Sequence, residues 1–176
     1  MGAHARATAL GILDVDLAAM YGHGDPSGAM FVSHVAHGDL LHLSGTVATR
    51  DGAAYLPGIV GQDVSIDEAR EAARVACVES IRVMAFALGS LDRVRRMITL
   101  TGYVNSTPGF QEQPRVINAA TELLVEVFGE SGLCARAAIG CQGLAMHSSV
   151  ELVMACQFDG GDVVPALPTP AAGPLA

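Results

Sequence analysis

Apolar and polar positions along the chain fall into two rhythms, and the change from one to the other divides it into elements. Residues 29–36 and 39–47 read as two strands flanking His37-Gly38, a tight hairpin turn. At 65 the rhythm changes. Ser65-Ile-Asp-Glu68 is a capping box, in which the serine accepts from a free backbone N–H and the glutamate reaches back to the cap. The helix it opens should run to about Leu88, with Ala73, Cys77, Ile81, Met84 and Leu88 on one face and Gly89 as the stop. Residues 95–105 read as a strand. Pro114 opens a second helix whose apolar face holds Ile117, Ala120, Leu124 and Phe128, with Gly129 after it. Strands at 134–143 and 148–158 close the series.

The order is ββαβαββ, an α+β domain with one mixed sheet. Two helices can cover only one face of that sheet, so something else must cover the other. Residues 1–28 are expected to form an N-terminal extension, ending in a loop at Gly22, Gly24, Pro26 and Gly28. The domain proper spans 29–158. Residues 159–176 make a tail rich in Pro, Ala and Gly, expected to be loose from 160 onward.

If the last two strands form a hairpin around 144–147, alternation sorts their side chains onto two faces. Ala137, Ile139, Cys141, Val150, Leu152, Met154, Cys156 and Phe158 then pack under the helices. Arg136, Ala138, Gly140, Gln142, Ser149, Glu151, Val153 and Ala155 form the other face, made of small residues with a few polar ones. That face suits close packing against another subunit. It also holds two opposite charges in an otherwise apolar stretch. Arg136 and Glu151 are either a buried ion pair, which adds little net stability, or a guanidinium at a subunit cleft ready to take a carboxylate bidentately.

Composition narrows the choice. The chain is 51% hydrophobic and 16% charged, with a mean hydropathy of +0.39, so apolar area is left over for an oligomer to hide. No apolar run reaches the length of about 18 residues that a membrane helix needs, and no signal peptide is evident, so a cytoplasmic protein with no membrane partner is expected. The net charge of −8 argues against a nucleic-acid partner. All ten basic residues are arginine. Without lysine there is no Schiff-base catalysis and no Walker A phosphate loop. Cys77, Cys134, Cys141 and Cys156 form no C-x-x-C pair and read as reduced apolar thiols. His34, His37 and His42 do not complete a ligand set, and neither metal nor organic cofactor is expected.

Several of these residues, taken together, resemble the Rid family, also called YjgF. The resemblance rests on L-L-H-L-S-G at 40–45, A-R-A-A-I-G around Arg136, Val150-Glu151, and the P-G-F and I-N-A-A segments between 108 and 120. Residues 60–74 and 122–130 look closest to a longer-chained subgroup that carries an endoribonuclease label. The resemblance implies a chorismate-mutase-like fold and a homotrimer with ligand clefts between subunits. It further implies hydrolysis of reactive enamines and imines to keto acids and ammonia. By the same resemblance Arg136 binds the substrate carboxylate and Glu151 orients the attacking water. Ser44 and Asn118 are further polar site positions, and Gly45 lines the pocket. Phe31 stands where the deaminase branch has a tyrosine, Ala138 replaces a cysteine, and Ala145 replaces a proline.

The chemistry is economical. Protonation of an enamine carbon gives an iminium that water attacks, so the protein mainly positions the reactants. A non-catalytic trimer that binds a small carboxylate as sensor or scaffold is the competing reading, favoured by Phe31. Ribonuclease activity comes third, against the charge of −8.

Overall fold

The computed structural model describes residues 1–21 and 31–166. The loop expected at 22–28 lies outside them. Helices α1 (Ala3–Ala9) and α2 (Leu17–Tyr21) precede the hairpin β1 (His34–His37) and β2 (Leu40–Leu43). Three two-residue strands follow: β3 (Thr46–Val47), β4 (Thr49–Arg50) and β5 (Ala53–Ala54). Then come α3 (Ile66–Leu88), β6 (Val94–Asn105), α4 (Gln113–Phe128), β7 (Ala135–Cys141) and β8 (Val150–Phe158). The main sheet has the order β1-β2-β8-β6-β7, with β3 also paired to β8, and α3 and α4 pack on one face of it.

Local sequence explains most of these elements. Ser65 and Glu68 form the capping box at the start of α3, and Gly89 ends that helix with φ 72°. His37 pairs with Leu40, so the hairpin turn is Gly38-Asp39, one residue on from the predicted pair; Gly38 supplies φ 61°. Ala73, Cys77, Ile81, Met84 and Leu88 of α3 are buried, as are Ile117, Ala120, Leu124 and Phe128 of α4. They close on Leu100 and Val104 of β6 and on Val150, Leu152 and Met154 of β8. Gly102 lets α4 lie close: a Cβ there would run into the Ile117 side chain. Arg70–Glu122 (3.0 Å) and Arg74–Glu126 (2.9 Å) tie the outer sides of α3 and α4 together.

The structure corrects the expected final hairpin. β7 and β8 are not neighbours; β6 lies between them, antiparallel to β8 and parallel to β7. A parallel pair needs a long crossover, and α4 provides it. The connection from β7 to β8 therefore spans a strand instead of making a tight turn. It passes through Met146 and His147, both at φ 57°.

The change of partner alters which residues share a face. Leu100, Gly102 and Val104 register with Arg136, Ala138 and Gly140 on one side and with Met154, Leu152 and Val150 on the other. Arg136, Ala138 and Gly140 therefore face the helices. Ala137, Ile139 and Cys141 lie on the opposite, open face beside Thr101, Tyr103, Glu151 and Val153. Ile139, expected in the core, is 42% exposed. The open face still carries small and apolar residues, Val35 and Val153 among its exposed ones.

The N-terminal helices and the segment after β8 both join the body. Ala7 and Ile12 are buried, and Arg6 Nε donates to the Val127 carbonyl at 2.6 Å. Past β8 the described start of the tail is fastened as far as Val164, where looseness was expected from 160. Arg93 bonds Asp159 and the Gly160 and Asp162 carbonyls, Val164 N donates to Ala87 O at 2.8 Å, and His34 Nε2 lies 2.8 Å from Val164 O. His34 is thus a buried structural residue. No helix among the described residues is long and apolar enough to cross a membrane.

Candidate functional site

The residues singled out in the sequence gather at two separate places. At the outer edge of the sheet, β7 turns Arg136 toward α4. There Arg136 Nη1 donates to Asn118 Oδ1 at 2.8 Å and to Thr121 Oγ1 at 3.0 Å. Asn118 and Thr121 are one helical turn apart and so share a face of α4. Both acceptors are neutral, and no carboxylate among the described residues pairs with Arg136, unlike Arg70 and Arg74 nearby. Arg136 is exposed. Its Nε–Nη2 edge has no partner among the described residues. Just before it, burial pushes the Cys134 thiol up, and Arg136 opposes that shift.

The second place is where β8 meets β2 and β3. Glu151 pairs with Val47 of β3 and with Tyr103 of β6, and its side chain stands on the open face. The carboxylate lies against Gly45, where any Cβ would collide with it. It has no hydrogen bond or ion pair among the described residues. Ser44 Oγ donates to the Val32 carbonyl at 2.5 Å, and Ser44 N donates to Ser33 O at 3.0 Å. These bonds hold Val32 and Ser33, which lead into the hairpin, against Ser44; half-exposed Phe31 precedes Val32 in the chain. Cys141 is close enough that Glu151 adds to the burial that raises its thiol.

Ser44, Gly45 and Glu151 thus form one cluster, with Phe31 near it along the chain through the Val32–Ser44 bond, and Arg136 with Asn118 forms another. Within one chain the two do not meet. Arg136 sits level with Leu100 and Glu151 with Tyr103, two strands apart, which puts their Cα atoms about 14 Å apart. Their side chains also point to opposite faces. A three-carbon acid spans only about 4–5 Å. An ion pair between Arg136 and Glu151 within the protomer is excluded by the same geometry.

Two residues near these clusters were not singled out in the sequence. Thr121 follows Asn118 by one helical turn, a spacing that could have marked it. Tyr103 brings a ring beside Glu151, and its parity with Thr101 along β6 was the available signal.

A mostly antiparallel sheet with two helices on one face and βαβ parallel pairing at its edge defines the chorismate-mutase-like class of α+β domains. The chain belongs to the YjgF/chorismate mutase-like, putative endoribonuclease family, whose sequence profile matches residues 4–156. It is similar to Protein TCP17 of Trypanosoma cruzi, with 39% identity over 123 residues, 69% of this chain and 77% of that protein. The crystal structure of Atu1372 from Agrobacterium tumefaciens, a protein of unknown function, superposes with a TM-score of 0.76 at 34% identity; the match covers 90% of this chain and 92% of that one. A putative endoribonuclease from Shewanella oneidensis shares the fold at a TM-score of 0.78 and 23% identity, covering 90% of this chain and all of that one.

Proposed function

We propose that the protein is a homotrimer that hydrolyses reactive enamines and imines of the 2-aminoacrylate type to 2-keto acids and ammonia, in clefts between subunits. The observation that carries this reading is the division of the site. Among the described residues Arg136 is an anchored cation with no carboxylate partner on the edge of the sheet, and Glu151 is a carboxylate with no hydrogen bond or ion pair on its open face. Each becomes useful when a second copy brings the complementary cluster. The exposed apolar residues of the open face give the copies a reason to associate.

In such a cleft Arg136 holds the substrate carboxylate through two parallel N–H···O bonds. Protonation of the enamine carbon gives an iminium. Glu151 accepts a hydrogen bond from water and aims its oxygen at the iminium carbon. The resulting carbinolamine expels ammonia and leaves the keto acid. Most of the rate gain comes from positioning.

The test is ammonia release from 2-aminoacrylate generated in the assay by a second enzyme. Release above the spontaneous rate supports the reading. A second reading, a trimer that binds small carboxylates without turning them over, is favoured by Phe31, which brings no hydroxyl to the cluster. Calorimetric binding of pyruvate without ammonia release would select it. RNA cleavage, the activity in the Shewanella protein's name, has the net charge of −8 against it.

A further inference from the structure

We infer that Thr121 is a positioning residue for the substrate carboxylate: with Asn118 it pins Arg136 through Nη1, so that the guanidinium offers its Nε–Nη2 edge to a planar monocarboxylate. This rests on the reading of Arg136 as the carboxylate clamp.

The geometry supplies the argument. A guanidinium has five N–H donors in a rigid planar fork. Both hydrogens of Nη1 are taken, one by Asn118 Oδ1 at 2.8 Å and one by Thr121 Oγ1 at 3.0 Å. Two bonds to one nitrogen from two residues of one helix stop the plane from rotating about the Nε–Cζ bond. What remains is the Nε–Nη2 edge, whose two parallel N–H groups match the two oxygens of a carboxylate. A single anchor would hold the nitrogen but leave the plane free to swing.

The choice of anchors is equally specific. α4 offers Glu122 and Glu126 to the arginines of α3, yet it offers an amide and a hydroxyl to Arg136. A carboxylate in either place would orient the guanidinium and also neutralise it, and so compete with the ligand. Neutral acceptors orient it at no cost in charge. Thr121 is half-buried at the foot of this arrangement, and its hydroxyl is the acceptor that removes the last rotation.

Thr121→Val keeps the shape of the side chain and removes the acceptor; Thr121→Ser keeps the hydroxyl. Loss of one such bond should weaken pyruvate binding, read by calorimetry, by about 2- to 10-fold. With 2-aminoacrylate it should raise KM by the same factor and leave kcat unchanged. Thr121→Ser should restore wild-type values. Valine binding as well as the wild type, or serine as weakly as valine, overturns the proposal. Pyruvate binding that survives in Arg136→Ala overturns the clamp reading instead. A ligand-free measurement keeps the two apart. In nitrogen-15 NMR a pinned guanidinium shows separate Nη1 and Nη2 resonances, and these should merge in Thr121→Val. Separate resonances that persist in the variant refute Thr121 as the anchor whatever the ligand does.

Discussion

Arg136 and Glu151 point to opposite faces of the same sheet. They are fifteen positions apart in the sequence, and one strand, β6, lies between theirs. This relationship excludes an ion pair between the two within one chain. Among the described residues Arg136 meets only the neutral Asn118 and Thr121, and the Glu151 carboxylate has no hydrogen bond or ion pair.

Removal of the guanidinium should therefore cost little stability. Arg136 is exposed, its partners Asn118 and Thr121 are neutral, and no carboxylate among the described residues pairs with it. Arg136→Ala is expected to unfold within about 0.5 kcal/mol of the wild type, as surface substitutions usually do, and to lose pyruvate binding. Breaking a buried ion pair would instead cost about 3–5 kcal/mol. Thermal unfolding beside calorimetric titration decides between them.

Gly45 leaves room for the Glu151 carboxylate. Gly45→Ala should push that carboxylate aside, because the new methyl collides with it. Turnover of 2-aminoacrylate should fall by about 10-fold or more, since misplacement by about 1 Å can cost as much as 100-fold. Pyruvate affinity should change much less, because Arg136 belongs to the other cluster. Equal losses in turnover and affinity would show that Gly45 does not act through Glu151.

Phe31 should line the cleft and make it more apolar than in tyrosine-bearing members of the family. Phe31→Tyr is expected to turn over 2-aminoacrylate faster than the wild type. An unchanged rate in a folded variant would show that the missing hydroxyl does not limit activity.

Ser65→Ala removes the cap of α3 and should destabilise the protein by about 1 kcal/mol near neutral pH. The Ser65 side chain and backbone N–H hold the Glu68 carboxyl below its ordinary range. A depressed folded value means that this part of the stabilisation is complete above the ordinary carboxylate range and is lost as pH falls through the lower, folded value. The melting-temperature gap between wild type and Ser65→Ala should accordingly narrow in acid.

Helix α3 is legible from its cap at Ser65 to its stop at Gly89, because both signals are local. Alternation within β8 is legible too: Val150, Leu152, Met154, Cys156 and Phe158 are all buried. The relative facing of β7 and β8 is not, because parity carries across strands only once the pairing is known. That pairing depends on α4 crossing over to set β7 beside β6, a tertiary event with no local mark at Arg136. The same crossover brings Asn118 and Thr121 under Arg136. Hence the site residues could be named from resemblance, while their division into two clusters could not be read from the sequence.

If each cleft is assembled from two copies of the chain, two defective chains should complement each other in a mixed trimer. Arg136→Ala and Glu151→Gln chains, each inactive alone, are co-expressed in equal amounts, and native mass spectrometry verifies that mixed trimers form. In a ring of like interfaces every cleft takes its arginine from one subunit and its glutamate from the neighbour, so about one cleft in four regains both wild-type groups. About a quarter of wild-type ammonia release from 2-aminoacrylate should be recovered. Verified mixed trimers no more active than either parent would contradict assembly from two copies, because a site built within one chain stays broken in every mixture.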